Sequence, residues 1–282
     1  MLIVTNREVY PSAPLVLVAA EIRHPDTGPL GDKEKQQLKR ALAEDLPVAR
    51  PLTRSGGVMT IGAGTAPQFQ SAPTTTSPRF LSRDLGTSAT FHQEAVVVET
   101  TRYAGFDTFL ALIQRVLTAR VNVGVLDGVE RLGLRYIDEI RVPGVGDSSS
   151  WRDWVRPALL GPNHLAADLD LRNDAWQGIS TYSGQLDADE EFDQMTLVVR
   201  YGVGEGYALA PDGELRRKTP PPGPFFLIDI DSYWGPATAG VPTLDLDKLT
   251  RALEGLHAPV RNLFENAITD RLRDEVLRRD GN

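Results

Sequence analysis

The sequence predicts an α+β protein: a tandem duplication of a β-α-β4-α unit, its antiparallel sheets carrying helices on one face. Three observations lead there. Short Val- and Ile-rich segments, punctuated by Gly, Pro and Ser, read as strands. A few longer segments instead set apolar residues at helical spacing. Finally, "EIRHP" (Glu21 to Pro25) and "EIRVP" (Glu139 to Pro143) stand at matching places in the two halves.

The first unit opens with "APLVLVAAEIR" as a strand. "GDKEKQQLKRALAED" follows as a helix, with Leu38 and Leu42 on one face. Four short strands come next: "GVMTIG", "RFLSRDL", "ATFHQ" and "AVVVETTRY", with "GTS" and "QEA" as hairpin turns. Between the first two, "GTAPQFQSAPTTTSP" has no periodicity and predicts a mobile loop. "FDTFLALIQRVLTAR" closes the unit as a helix, lining Phe106, Phe109, Leu110, Ile113 and Leu117 along one side.

The second unit repeats that order. "LGLRYIDEIR" is a strand, and "SSSWRDWVRPALL" starts a helix with Ser150 as N-cap. "WQGISTYSGQLD", "MTLVVRYG", "GYALAP" and "PFFLIDIDSYW" read as four strands, with the acidic "DADEEFD" a solvated hairpin and "GVGEG" a turn. "LDLDKLTRALEGLH" and "APVRNLFENAITDRLRDEVL" end the chain as helices, broken or kinked at Pro259. Position strengthens the match between the pentads. Each ends the first strand of its unit and precedes a proline, which cannot donate to a continuing ladder. "VETTRY" (Val98 to Tyr103) and "IDIDSY" (Ile228 to Tyr233) also correspond, each with an acid followed four residues later by Tyr. The units are residues 1–126 and 127–282, packed as one globular body.

Composition narrows the function classes. At 282 residues, 41% hydrophobic and 24% charged, the chain has globular rather than disordered composition. No apolar run approaches the ~20 residues that span a bilayer, and no signal peptide is recognisable, so a cytoplasmic location is expected. The absence of cysteine excludes disulfides, thiolate catalysis and Cys-based zinc sites. A net charge of -8 argues against general nucleic-acid binding, which depends on neutralising phosphates. "HEXXH", "GXXXXGK[ST]" and "GXSXG" are absent, and His24, His92, His164 and His257 are scattered. No cofactor is implied.

The β-α-β4-α repeat resembles the architecture of TATA-binding-protein and helix-grip folds, a likeness that licenses no function. The motifs "APLVLVAAEIR", "VVVETTRYAGFDTF", "RLGLRYIDEI", "WRDWVRPALLGP", "FFLIDIDSYW" and "LHAPVRNLFENAITDRLR" together resemble a sporadically distributed bacterial family of uncharacterised proteins. The long Thr/Pro loop and Pro259 depart from that pattern. The resemblance carries no established activity and no catalytic residue. Its sporadic distribution suits a toxin-antitoxin or phage-defence component.

Strand alternation sorts the charged residues. Opposite the apolar face, one face collects Glu21, Arg23, Glu99, Tyr103, Arg135, Glu139, Arg141, Asp229, Asp231 and Tyr233. Cross-strand ion pairs on a solvated sheet are one reading, each worth about 0.2–1 kcal/mol. A preorganised polar surface for a protein partner or small ligand is the other, with arginines as bidentate donors. On the second reading, Arg135→Glu abolishes binding and spares stability. The leading function is thus a non-enzymatic binding or regulatory protein. Alternatives are a metal-assisted hydrolase or transferase using Glu99, Asp229 and Asp231, and a small-molecule sensor with a cavity under the C-terminal helix.

Overall fold

The computed structural model describes residues 10–54, 57–60, 68–71, 75–145, 148–161, 176–211, 213–236 and 240–279. Its strands are β1 (Leu15–Arg23), β2 (Val48–Ala49), β3 (Leu52–Arg54), β4 (Gly57–Thr60), β5 (Gln68–Ser71), β6 (Thr75–Ser77), β7 (Arg79–Leu81), β8 (Thr87–Phe91), β9 (Ala95–Thr100), β10 (Arg131–Ile140), β11 (Trp176–Asp189), β12 (Phe192–Gly206) and β13 (Gly223–Trp234). The long helices are α1 (Asp32–Ala41), α2 (Phe106–Val121) and α3 (Leu246–Ala267). Nine strands form one antiparallel sheet, in the order β11-β12-β13-β10-β1-β9-β8-β7-β2. The chain is therefore α+β, with a large antiparallel sheet and few helices.

Alternation decides which face is dry. Val18, Ala20 and Ile22 of β1 sit beside Val96 and Val98 of β9, Leu132 and Leu134 of β10, and Phe226, Ile228 and Ile230 of β13, all fully buried. Onto this face α3 lays Leu249, Leu253, Leu256 and Val260, and α2 lays Phe109, Ile113 and Leu117. Each such side chain contributes about 1.5–3 kcal/mol of transfer free energy. Leu38 of α1 and Leu42, which caps the C-terminal end of that helix, are buried in the same core.

The β1–β10 pair lies mid-sheet. Outward from it, each direction meets the last strand of its half (β9 or β13), then the one before (β8 or β12), then the one before that (β7 or β11). Ala19, two residues before Glu21, faces Glu99; Ile137, two before Glu139, faces Asp229.

Several expected elements differ. "SSSWRDWVRPALL" forms two 3₁₀ segments, Ser148–Asp153 and Pro157–Leu159, so Ser150 lies inside a 3₁₀ turn and caps no α-helix. A bridge between Val155 and Ile268 and the proline at position 157 interrupt the helical run. "GYALAP" is no separate strand, and "GVGEG" is the end of β12 instead of a turn, leaving three strands where four were expected. "RFLSRDL" is strand only to Leu81; Ser82 to Gly86 make the turn that "GTS" was expected to supply. The Thr/Pro stretch contributes β5 and β6, which pair with β4 and β3, although residues 64–67 and 72–74 lie outside the described residues. Pro259 does not end the helix: α3 runs on to Ala267. His164 lies outside the described residues.

Candidate functional site

The second face of the sheet is charged. Its odd-numbered positions on β1, β9, β10 and β13 carry Glu21, Arg23, Glu99, Arg131, Arg135, Glu139, Asp229, Asp231 and Tyr233, and the even-numbered Arg200 joins them from β12 by facing Asp229. Three ion-pair groups result. Arg135 donates to both oxygens of Asp229 at 2.8 Å, and Arg200 approaches the same carboxylate at 3.6 Å. Arg131 bridges Asp231 at 3.0 Å and Glu21 at 2.5 Å, while Arg23 stands 3.8 Å from Glu21. Glu139 accepts from Arg141 at 2.9 Å and from Arg217 at 3.5 Å.

Arg131 reaches Asp231 by crossing Gly133, its neighbour but one on the same strand. A Cβ at Gly133 would lie 2.5 Å from the Arg131 Nη1. Glycine therefore leaves the lane in which the guanidinium runs, and Tyr233, facing Gly133, closes it with a ring 4.5 Å from the Arg131 guanidinium carbon.

Half of this face is covered. After β12 the chain crosses the sheet as a strap, residues 207–211 and 213–222, before re-entering as β13. The strap is tied at both ends. Near its start, Glu139 accepts from the Ala208 amide at 2.8 Å, Arg217 donates to the Leu209 carbonyl, and the Arg141 and Arg217 guanidiniums approach the Tyr207 ring. Across the sheet, the Arg216 amide donates to the Leu85 carbonyl and Thr101 Oγ1 donates to the Arg216 carbonyl at 2.6 Å. Glu214 meets Arg79 there. Leu85 has φ 60°, a left-handed conformation costly for a branched residue, at the point where the strap is anchored. Under the strap the Glu139 side chain is only 1% exposed.

The uncovered half forms an open groove of about 290 Å³. Its floor is Ala19, Glu21, Val97, Arg131, Gly133, Arg135 and Asp231, with Arg23 on one wall and His92 and Glu94 at the β8–β9 turn. Arg23 and Arg135 are both about half exposed, so each can offer donors to a visitor while keeping its carboxylate.

Of the residues expected on this face, Glu21, Arg23, Arg135 and Asp231 meet at the groove. Asp229 and Tyr233 lie beside it on β13, and Glu139 and Arg141 lie under the strap. Glu99 shares the face through its pairing with Ala19, and its charge acts on the buried guanidinium of Arg79. Tyr103 does not belong here. β9 ends at Thr100, Arg102 N donates to the Thr100 hydroxyl, and the chain turns beneath the sheet. Tyr103 then packs edge-on against Tyr136 and Phe109 on the helix side. Arg131, Arg200 and Arg217 were missed. Parity with Arg135 could have found Arg131, but Arg217 lies in an aperiodic loop that offers no such signal.

The helix side holds polar groups of its own. Tyr136 Oη lies 2.9 Å from His257 Nδ1, and the imidazole stacks on Phe106 at 3.9 Å. Burial pushes His257 down to about 4, so the ring is neutral near pH 7, and its tautomer sets which of the two groups donates. Asp138, next along that face, is pushed up to about 8, first by burial and second by the charge of Asp229. The space between sheet and α3 is filled by Leu253, Leu256, Val260, Phe226 and Ile230.

Comparison with protein-family models, curated proteins and solved structures returns no match to this chain. Among the described residues, no helix is long and apolar enough to cross a membrane.

Proposed function

We propose that the chain is a non-enzymatic binding protein, and that the open groove on the charged sheet face receives a polar segment of a protein partner. One observation carries this reading. The groove presents both signs in fixed places, with Asp231 and Glu21 held by Arg131 and with Arg135 held by Asp229. A segment of mixed charge meets donors and acceptors whose side-chain ordering is already complete, which reduces the entropic cost of association. The same pairing weakens the hydrolase alternative, because Asp229 and Asp231 are engaged by guanidiniums.

A duplicated origin fits this reading. The two sequence matches equate Ala19 with Ile137 and Glu99 with Asp229, and the register of β1–β9 and β10–β13 pairs these residues correspondingly. A slip of one residue in either match would break that agreement. The resemblance to a sporadic bacterial family leads us to place the partner in a defence or toxin-antitoxin setting.

The test is capture of a stoichiometric partner from the source organism, comparing wild type with Arg23→Glu combined with Glu94→Arg. Both side chains are exposed, and Arg23 makes a long contact of 3.8 Å to Glu21. The variant is expected to melt like wild type and to lose the partner. Retention of the partner by a folded variant would exclude the groove as the contact.

A further inference from the structure

β11 is the outermost strand at one margin of the sheet, and no described strand pairs with its outer edge. Protein edges of this length are ordinarily blunted by lysine, proline or a bulge. Here, Trp176 to Gln185 contains neither a charged residue nor a proline, and its pairing with β12 runs without a shift over those residues. The stretch is also exposed: Ile179 is 64% accessible and Tyr182 54%. The two side chains stand on opposite faces, since Ile179 faces Arg200 and Tyr182 faces Leu197.

The order of residues says what fits such an edge. "QGISTYSGQ", Gln177 to Gln185, keeps Gln and Gly at equal distances on either side of Thr181, and at the inner two distances it sets one bulky residue against a serine, Ile179 against Ser183 and Tyr182 against Ser180. We infer that β11 pairs antiparallel with β11 of a second copy of this chain, about a twofold axis at Thr181, joining two sheets into one. In that register Gln177 faces the second copy's Gln185, and Gly178 faces its Gly184. Ile179 lies opposite Ser183 and Tyr182 opposite Ser180, so each bulky side chain meets a small one. An isologous contact pairs a patch with itself, which like charges would oppose; Trp176 to Gln185 carries none to oppose it. Antiparallel pairing also sends the two acidic turns, carrying Glu190, Glu191 and Asp193, to opposite ends of the joint.

The chain lacks cysteine, so single introduced thiols report the register cleanly. Cα atoms facing across an antiparallel pair lie about 4.5–5.5 Å apart, within disulfide reach. In the full-length protein with a mild oxidant, Thr181→Cys is expected to form a covalent dimer. Gln185→Cys alone is not, whereas Gln177→Cys combined with Gln185→Cys is. Sedimentation should show wild type at twice the monomer mass, and Ile179→Lys with Tyr182→Lys should weaken dimerisation by at least about tenfold. These positions are exposed, and circular dichroism verifies that each variant folds. A wild type that stays monomeric up to concentrations on the order of 100 μM overturns the proposal. So does a dimer that Thr181→Cys fails to cross-link.

Discussion

Arg135 and Asp229 form a two-pronged pair, Nε to Oδ1 and Nη2 to Oδ2, each at 2.8 Å. The partners are unequal, because the guanidinium is about half exposed while the carboxylate is 5% exposed. The pair therefore serves mainly to neutralise a buried acid. Breaking a buried pair typically costs about 3–5 kcal/mol. Arg200 remains as a distant partner for Asp229, so Arg135→Ala should cost less, about 2 kcal/mol. Arg135→Glu should cost more, since it sets a second carboxylate beside the first. The partner-surface reading expects this reversal to spare stability, whereas the buried Asp229 carboxylate predicts a loss, the outcome that favours a structural role for the pair. Urea unfolding of both variants decides the matter; midpoints matching wild type would mean that Asp229 needs no guanidinium.

Gly133→Ala tests the lane beneath Arg131. A methyl group there should displace the guanidinium from Asp231 and Glu21, since the side chain yields more easily than the backbone. We expect a loss of about 1–2 kcal/mol, even though alanine suits an extended strand better than glycine. A gain in stability would show that the two ion pairs contribute nothing.

Glu139 ties down the strap. Glu139→Ala removes the acceptor for Ala208 N and strands Arg141 and Arg217 beside each other. Local opening of the strap should become easier by about 2 kcal/mol, or roughly thirtyfold. Trypsin should then cut after Arg216, Arg217 or Lys218 far faster than in wild type. Unchanged cleavage would mean that the Leu85 and Thr101 anchors suffice.

Stability should depend on pH in two opposed ways. His257 has a folded value of about 4 against an ordinary 6.5, so between these the unfolded chain holds the extra proton. Stability then falls as pH drops through that window, by roughly 3 kcal/mol in all. Asp138 stays protonated up to about 8 when folded, against 3.8 when unfolded, so its contribution falls as pH rises through 3.8 towards 8. His257→Phe should flatten the acid limb and Asp138→Asn the other, as read from urea midpoints between pH 4 and 8. A variant that keeps the wild-type slope would acquit the residue it replaces.

Elements whose own pattern determines them were legible in the sequence. Leu38 and Leu42 mark α1, Phe109 to Leu117 mark α2, and the alternation through β10 and β13 separates Arg135 and Asp229 from the core. Elements governed by tertiary context were not. Pro259 sits in a helix already held along one face by Leu249 to Val260, so packing outweighs the lost hydrogen bond. Trp151 and Trp154 are both buried, the first within the 3₁₀ segment Ser148–Asp153 and the second just after it, where an α-helix was expected. Tyr103 follows the parity of Glu99 in sequence, yet β9 stops before reaching it. The strap left no trace because its fastenings are single long-range contacts, such as Arg216 to Leu85, which carry no periodicity.

The central position of β1–β10 bears on how the molecule could be divided. Severed in the connection near residue 126, either portion would expose a long apolar-faced strand that currently has a neighbour on each side. Neither piece should persist alone without clumping. Mixed from separate polypeptides, the two should instead find each other and rebuild the intact sheet, a split-protein pair supplied by nature's own seam.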